Sequence, residues 1–282
     1  MLLSLRQRFI FFICVSVFGF LLSGVIGGLI LSKFPGSTAA MRIAAVIQSL
    51  FQLIIPAIVT AVIVTRRPAT FLAVDKKINF PILLLSLAGL IAATPAMNLI
   101  ISLNQALTLP ESFAWLETSL RAMEENAARS ITLLQGGHTV GNLIMNILIM
   151  GALAGFGEEL FFRGAFMRLM TTGRINPHAA IWTVAIVFSA MHLQFFGFVP
   201  RTLLGAYFGY LLYWGRSLWV PVIVHAVNNI IYVVWQWAYG TSGNEQTPID
   251  TIGSDGNWGA VAVSALLTTA IIICIQRRRV TD

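Results

Sequence analysis

Long apolar runs alternate with short polar stretches from one end of the chain to the other. They lie near 9–32, 43–65, 81–104, 139–165, 179–198, 199–215, 217–240 and 258–276. A helix needs roughly 20 mainly apolar residues to cross a hydrocarbon core of about 30 Å. The pattern therefore predicts an all-α, polytopic membrane helical bundle with about eight transmembrane helices. The fifth and sixth runs are the least separable, with only Gly197, Pro200 and Arg201 between them. The first run follows Arg6 and Arg8 and exceeds the ~7–15 apolar residues of a cleaved signal, so it reads as a retained anchor. One connection is long. After Pro110, the residues Phe113, Leu116, Leu120 and Met123 recur at helical spacing among Glu and Arg. Residues 105–138 therefore read as an amphipathic helix on the outer surface or packed over the bundle. Residues 241–257 read as a polar loop.

Composition narrows the class. The chain is 57% hydrophobic and 10% charged, far below the roughly 25% charge of a water-soluble domain, which excludes a soluble enzyme. Its 19 Phe and 7 Trp exclude disorder. Cys14 and Cys274 lie in apolar runs and read as small hydrophobes. The net charge of +7 sits at the edges of the runs, which points to lipid contact and not to nucleic acid. Counting Lys and Arg favours a cytoplasmic N-terminus. Arg6, Arg8, Arg66, Arg67, Lys76, Lys77, Arg168, Arg174, Arg216 and Arg277–Arg279 are then inside, and Lys33, Arg42, Arg121, Arg129 and Arg201 outside. Both termini are cytoplasmic in this reading. Trp182, Trp214, Trp219, Trp235, Trp237 and Trp258 fall near run ends and read as interfacial anchors.

A few ionisable residues lie deep within the runs, where they are costly and functional by default. They are Glu158, Glu159 and Arg163 in GFGEELFFRG, His192 in FSAMHLQ, and His225 with Asn228 and Asn229 in VIVHAVNNI. Glu159 and Arg163 stand at i and i+4, the ion-pair spacing. Glu158 is rotated about 100° away and has no basic partner at helical spacing. Phe188 with His192, and His225 with Asn229, also share helix faces. At ~1.5 Å per residue the depths of Glu158, His192 and His225 overlap, which predicts one polar pocket in the inner half of the bilayer. Gly151 and Gly155 stand at the G-x-x-x-G spacing of close helix packing. These glycines, with Gly157 and Gly164, thin the helix around the glutamates and could admit water.

The order Glu158-Glu159-Arg163, Phe188-His192, His225-Asn229 on successive helices resembles the CAAX protease and bacteriocin-processing (CPBP) family of intramembrane endopeptidases, also called the Abi or Ras-converting endopeptidase type. The resemblance covers roughly 140–240. It implies an intramembrane endopeptidase that hydrolyses a peptide bond of a membrane-associated peptide or protein, with Glu158 activating a water. Glu159 and Arg163 would shape the pocket with Phe188 and Asn228, His192 would position the water or the base, and His225 with Asn229 would stabilise the oxyanion. The implied organisation is three spans and an outer segment over 1–138, a catalytic core of four spans over 139–240, and a loop with a last span and basic tail over 241–282. The implied setting is a multi-pass cell-membrane protein whose site opens toward the cytoplasmic half.

Two points stay open at this level. Two histidines and a glutamate (Glu158, His192, His225) could hold zinc with an open position for water, but Asn is a poor zinc ligand and H-E-x-x-H is absent. The family's structural reading is metal-free. The same buried groups could also serve a proton-coupled transporter, or be silent in a non-catalytic immunity or scaffold protein.

Overall fold

A computed structural model describes residues 3–239, 251–254 and 256–280. The described residues are helical, with no strand among them. The acidic residues Glu245, Asp250 and Asp255, and most of the expected 241–257 loop, lie outside them. α1 (Leu5–Lys33) starts at a reciprocal cap: Ser4 Oγ accepts from the Gln7 N–H and Gln7 Oε1 from the Ser4 N–H. This satisfies donors that the first turn leaves free. α2 (Thr38–Val64) widens to i→i+5 hydrogen bonding over Ser49–Ile54, just before Pro56. Proline has no N–H and crowds the carbonyl four residues earlier, so the helix relaxes there.

The third run, 81–104, divides into α3 (Phe80–Ala92) and α4 (Thr94–Gln105), bent by 50°. Pro95 accounts for the bend. The broken ladder is closed from α10 (Trp258–Arg277), whose Ser264 Oγ donates to the Ala92 carbonyl at 2.6 Å and accepts from the Ala96 N–H at 3.2 Å. α5 (Ala114–Gln135) follows, then α6 (Val140–Thr172), α7 (Pro177–Ala190), α8 (Phe198–Gly215) and α9 (Trp219–Tyr239).

Among the described residues six helices are long and apolar enough to cross a membrane, or seven if the bent pair is one span. α7 has 14 residues, about 21 Å at 1.5 Å per residue. The expected 179–198 span therefore does not form as one helix. It ends at Ala190 and turns through Leu193, whose φ is 55°. The chain then re-enters as a 3₁₀ turn at Phe195–Gly197 leading into α8. Pro200 does not separate two spans; it sits in the first turn of α8, where a missing N–H costs nothing. Close packing holds the α7–α8 hairpin: a Cβ on Gly205 would lie 3.2 Å from the Phe188 ring and 3.3 Å from Ala185 Cα.

The bundle exterior is apolar, with Phe18, Leu84 and Leu266 among the exposed side chains, as expected of a surface facing hydrocarbon. Two of the expected interfacial tryptophans pack against the core, Trp214 buried and Trp219 half-buried. Trp214 is buried and stacked on Tyr210 at 4.9 Å, and Trp219 Nε1 donates to the Val74 carbonyl at 2.9 Å. Each packs a large ring against the core with a defined partner or contact.

Candidate active site

α6 carries both glutamates in a short α-helical stretch, Ala154–Glu159, between two widened stretches, Ile147–Leu153 and Leu160–Met167. Such widened turns re-aim side chains and recur at functional sites. α6 and α9 meet at glycine. A Cβ on Gly155 would stand 3.0 Å from the Ala226 backbone nitrogen and 3.1 Å from its Cα, and one on Gly151 would stand 2.5 Å from Ile230. This close approach places Glu159, one turn beyond Gly155, against His225, the neighbour of Ala226.

Glu159 is fully buried. Its Oε1 accepts from Arg163 Nη1 at 2.5 Å and from His225 Nδ1 at 2.8 Å. Arg163 is also fully buried, donates through Nη2 to the Gly205 carbonyl at 2.7 Å, and lies over the rings of Phe188 and Phe208 at 4.8 and 5.5 Å. Among the described residues, Glu159 Oε2 and Arg163 Nε have no hydrogen-bond partner. The pair is thus desolvated but bound to backbone and imidazole, which buried charges require. Phe208 stacks on His225 at 4.6 Å and 22°, and this fixes the ring plane.

Glu158 points elsewhere, into an open cavity of about 2020 Å³ that His192, Asn228 and Asn229 also line. Its Oε2 is 3.7 Å from His225 Nε2. The two carboxylates therefore address opposite nitrogens of one imidazole. Because Glu159 as a carboxylate only accepts, Nδ1 of His225 carries a proton, and Nε2 carries one as well only when the ring is imidazolium. His192 Nδ1 donates to the Phe188 carbonyl at 2.8 Å. In the neutral ring its Nε2 then keeps a lone pair. Phe188 stands between the two imidazoles, 4.9 Å from His192 and 6.1 Å from His225. Asn229 Nδ2 donates to the Met150 carbonyl at 3.2 Å, and its Oδ1 accepts from Asn228 Nδ2 at 3.2 Å. One of the two amide protons of Asn229 is thus committed to α6.

Zinc does not fit this arrangement. Among the described residues no three His, Cys, Asp or Glu groups converge as metal ligands, and the set Glu158, His192 and His225 is no exception.

The cavity is roofed by α5. The face turned toward it carries Glu124, Ala128, Ile131 and Leu134, not the expected stripe, of which Phe113 and Met123 are exposed. Polar contacts pin this face at both ends. Glu124 accepts from the Phe196 N–H at 3.0 Å and from Gln194 Nε2 at 3.2 Å, so α5 docks on the turn that carries His192. At its other end Arg42 donates to the carbonyls of Leu134 and Gln135 and to the side chains of Asn142 and Asn146. Arg42 and Arg201 were both expected in loops. Arg42 instead caps the end of α5, and Arg201 lines the cavity. The signal for Arg201 was its place inside an apolar stretch, directly after Pro200.

Residues 140–231 match the family described as type II CAAX prenyl endopeptidase Rce1-like. The chain is 25% identical over 93 residues to the uncharacterized protein YpbD of Bacillus subtilis (strain 168), which covers 32% of this chain and 44% of that protein. The chain thus spans less than half the length of the curated relative it matches. No solved structure matches. The resemblance first drawn from the glutamate, histidine and asparagine motifs is therefore shown over residues 140–231, the stretch that carries every one of them.

Proposed function

We propose that this protein is a CAAX-type intramembrane endopeptidase in which Glu158 activates water. The observation that carries the reading is the split of the two glutamates: Glu159 is buried in a pair with Arg163, while Glu158 is left in the cavity beside His225 Nε2. Glu158 removes a proton from water held by the His192 Nε2 lone pair, and the water oxygen attacks the peptide carbonyl carbon. The oxyanion that forms is met by the free amide proton of Asn229 and by Nε2–H of His225 as imidazolium. When the C–N bond breaks, the proton on Glu158 passes to the leaving amine. Glu159 holds His225 in the orientation that exposes Nε2, and Arg163, Phe188 and Asn228 shape the wall behind it.

The chain has about eight membrane-embedded helices in this reading, counting α7, with both termini cytoplasmic and the protein in the cell membrane. Glu158 lies ~27 Å from the start of α6 and ~21 Å from its end at 1.5 Å per residue, which supports chemistry in the cytoplasmic half of the span. The substrate is a membrane-associated peptide or protein. The test is cleavage of a membrane-peptide library by the purified protein with Glu158→Ala, His192→Ala and His225→Ala alongside. Cleavage by all three at the wild-type rate sinks the assignment. The bent α3–α4 pair favours a second reading, a proton-coupled transporter. Proton-coupled flux in liposomes, lost on Glu158→Gln and without any cleavage, would select it.

A further inference from the structure

Two arginines line the cavity, and they are not alike. Arg121 is neutralised by Glu117 at 2.7 Å. Arg201, in the first turn of α8, has no carboxylate within ion-pair distance among the described residues. Its Nη2 donates to the neutral Gln194 Oε1 at 2.8 Å, and its Nη1 is buried with no hydrogen-bond partner among them. Glu124 and Glu158 act on its charge only from beyond contact, and a partly buried cation with no direct ion pair is costly to hold. Room has been kept for it. Gly197, one turn earlier, would bring a Cβ to 3.0 Å from Arg201 Nη2. Gln194, which holds the guanidinium, also donates to Glu124 on α5. The arginine therefore sits where the roof, the His192 turn and the cavity meet.

We propose that Arg201 is a specificity-determining residue that binds a carboxylate of the peptide substrate. This rests on the reading of the cavity as a peptidase site. A guanidinium presents parallel N–H groups that match the two oxygens of a carboxylate, and its unused Nη1 supplies the second bond of that fork. The carboxylate is either the chain terminus of the peptide or an acidic side chain within it. In the cavity that also holds Glu158 and His192, either one would set which peptide bond faces Glu158.

The test uses the full chain in phosphatidylcholine nanodiscs, with fluorescein-labelled membrane peptides made as free acids and as C-terminal amides, each with and without one internal Asp. Binding and cleavage are read side by side for wild type, Arg201→Gln and Arg201→Lys. Wild type is expected to bind the carboxylate-bearing form roughly tenfold more tightly, the scale of one charge-assisted fork. Arg201→Gln should bring the two forms within about twofold, and Arg201→Lys should restore part of the preference. Preference for the free acid assigns the chain terminus, and preference for internal Asp the side chain. Equal binding of the two forms by wild type, no binding of either, or an equal loss on both forms in Arg201→Gln overturns the proposal. So does displacement of peptide by phosphatidate-containing discs in wild type alone, which gives Arg201 to a lipid phosphate. An acid preference dependent on Arg201 without cleavage leaves the subsite standing and removes the peptidase reading. Cleavage without any acid preference does the reverse.

Discussion

His225 donates its Nδ1 proton to Glu159 across 2.8 Å, from one buried side chain to another. That bond turns Nε2 toward Glu158, 3.7 Å away, and in the proposed mechanism makes Glu159 a positioning residue and not a second base. Glu159→Gln keeps an acceptor for Nδ1 but loses the negative charge beside the ring, so kcat should fall about 10²-fold with KM little changed. Glu158→Gln removes the base itself and should lower kcat by about 10²–10⁴-fold. Single-turnover cleavage of one library-derived peptide separates the two. Equal effects would contradict the division of labour.

The Glu159–Arg163 pair is a liability when halved. Arg163→Ala strands a buried carboxylate and should destabilise by about 3–5 kcal/mol. Replacing both partners, Glu159→Leu with Arg163→Leu, should cost less than Arg163→Ala alone, although it also removes the support of His225. Unfolding of the detergent-solubilised protein followed by Trp fluorescence checks the order. A double variant less stable than the single one would mean that the charges stabilise the bundle outright.

The apolar runs announced the bundle because transfer to hydrocarbon needs long uncharged helices, and the 3.6-residue period alone set Glu159 toward Arg163 and Glu158 away from both. The break at residues 191–197 was hidden, because Met191, Leu193, Phe195 and Phe196 extend the apolar run and the turn lies in backbone geometry at Leu193. The same limit hid Arg42 and Arg201. Arg42 stands just before a run, where a charge reads as a loop marker, Arg201 lies inside one but follows Pro200, which reads as punctuation, and the partners of Arg42 lie 92 residues or more away in sequence. Which side of the 105–138 helix faces inward was equally hidden. The docked face starts where Glu124 reaches the 194–196 turn and continues along Ala128, Ile131 and Leu134, a stripe offset from the one that Phe113, Leu116, Leu120 and Met123 outline.

Gly155 lets α6 and α9 approach closely enough for Glu159 to reach His225. In Gly155→Ala the new methyl would meet the Ala226 backbone at 3.0–3.1 Å, and backbone cannot rotate away. The helices must part by a few tenths of an ångström, which should reduce kcat about tenfold where reacting groups are held to such tolerances. Gly28→Ala, with nothing within 4 Å among the described residues, is the control and should leave cleavage unchanged. A neutral Gly155→Ala would show that the site tolerates a wider gap.

Glu117 clasps the entrance to α5, accepting from the Leu109 N–H at 2.7 Å and from Arg121 at 2.9 Å. The backbone N–H first, and Arg121 second, hold its carboxyl below the usual carboxylate range. A depressed pKa means that this clasp contributes fully above the ordinary Glu value near ~4.3 and is lost as pH falls through the lower folded value. Hydrogen exchange at residues 107–113 should therefore stay slow from neutral pH to about 5 and accelerate below the ordinary carboxylate range, beyond the intrinsic pH trend. Glu117→Gln should remove that acid step.

The roof is fastened at two points, and releasing them separately should distinguish a lid from a fixed wall. Arg42→Ala frees the last carbonyls of α5 together with Asn142 and Asn146, whereas Glu124→Gln weakens the hold on the Phe196 N–H beside His192. Hydrogen bonds to charged groups are worth roughly 1.5–3 kcal/mol each, so either change should raise tryptic cutting at Arg129 several-fold. If α5 must lift to admit a peptide, both variants should lower KM for long substrates and leave kcat for short ones unaltered. If α5 is a wall that completes the cavity, Glu124→Gln should instead depress kcat, because the turn that holds His192 loses its support. Faster proteolysis with no kinetic change would remove α5 from the mechanism.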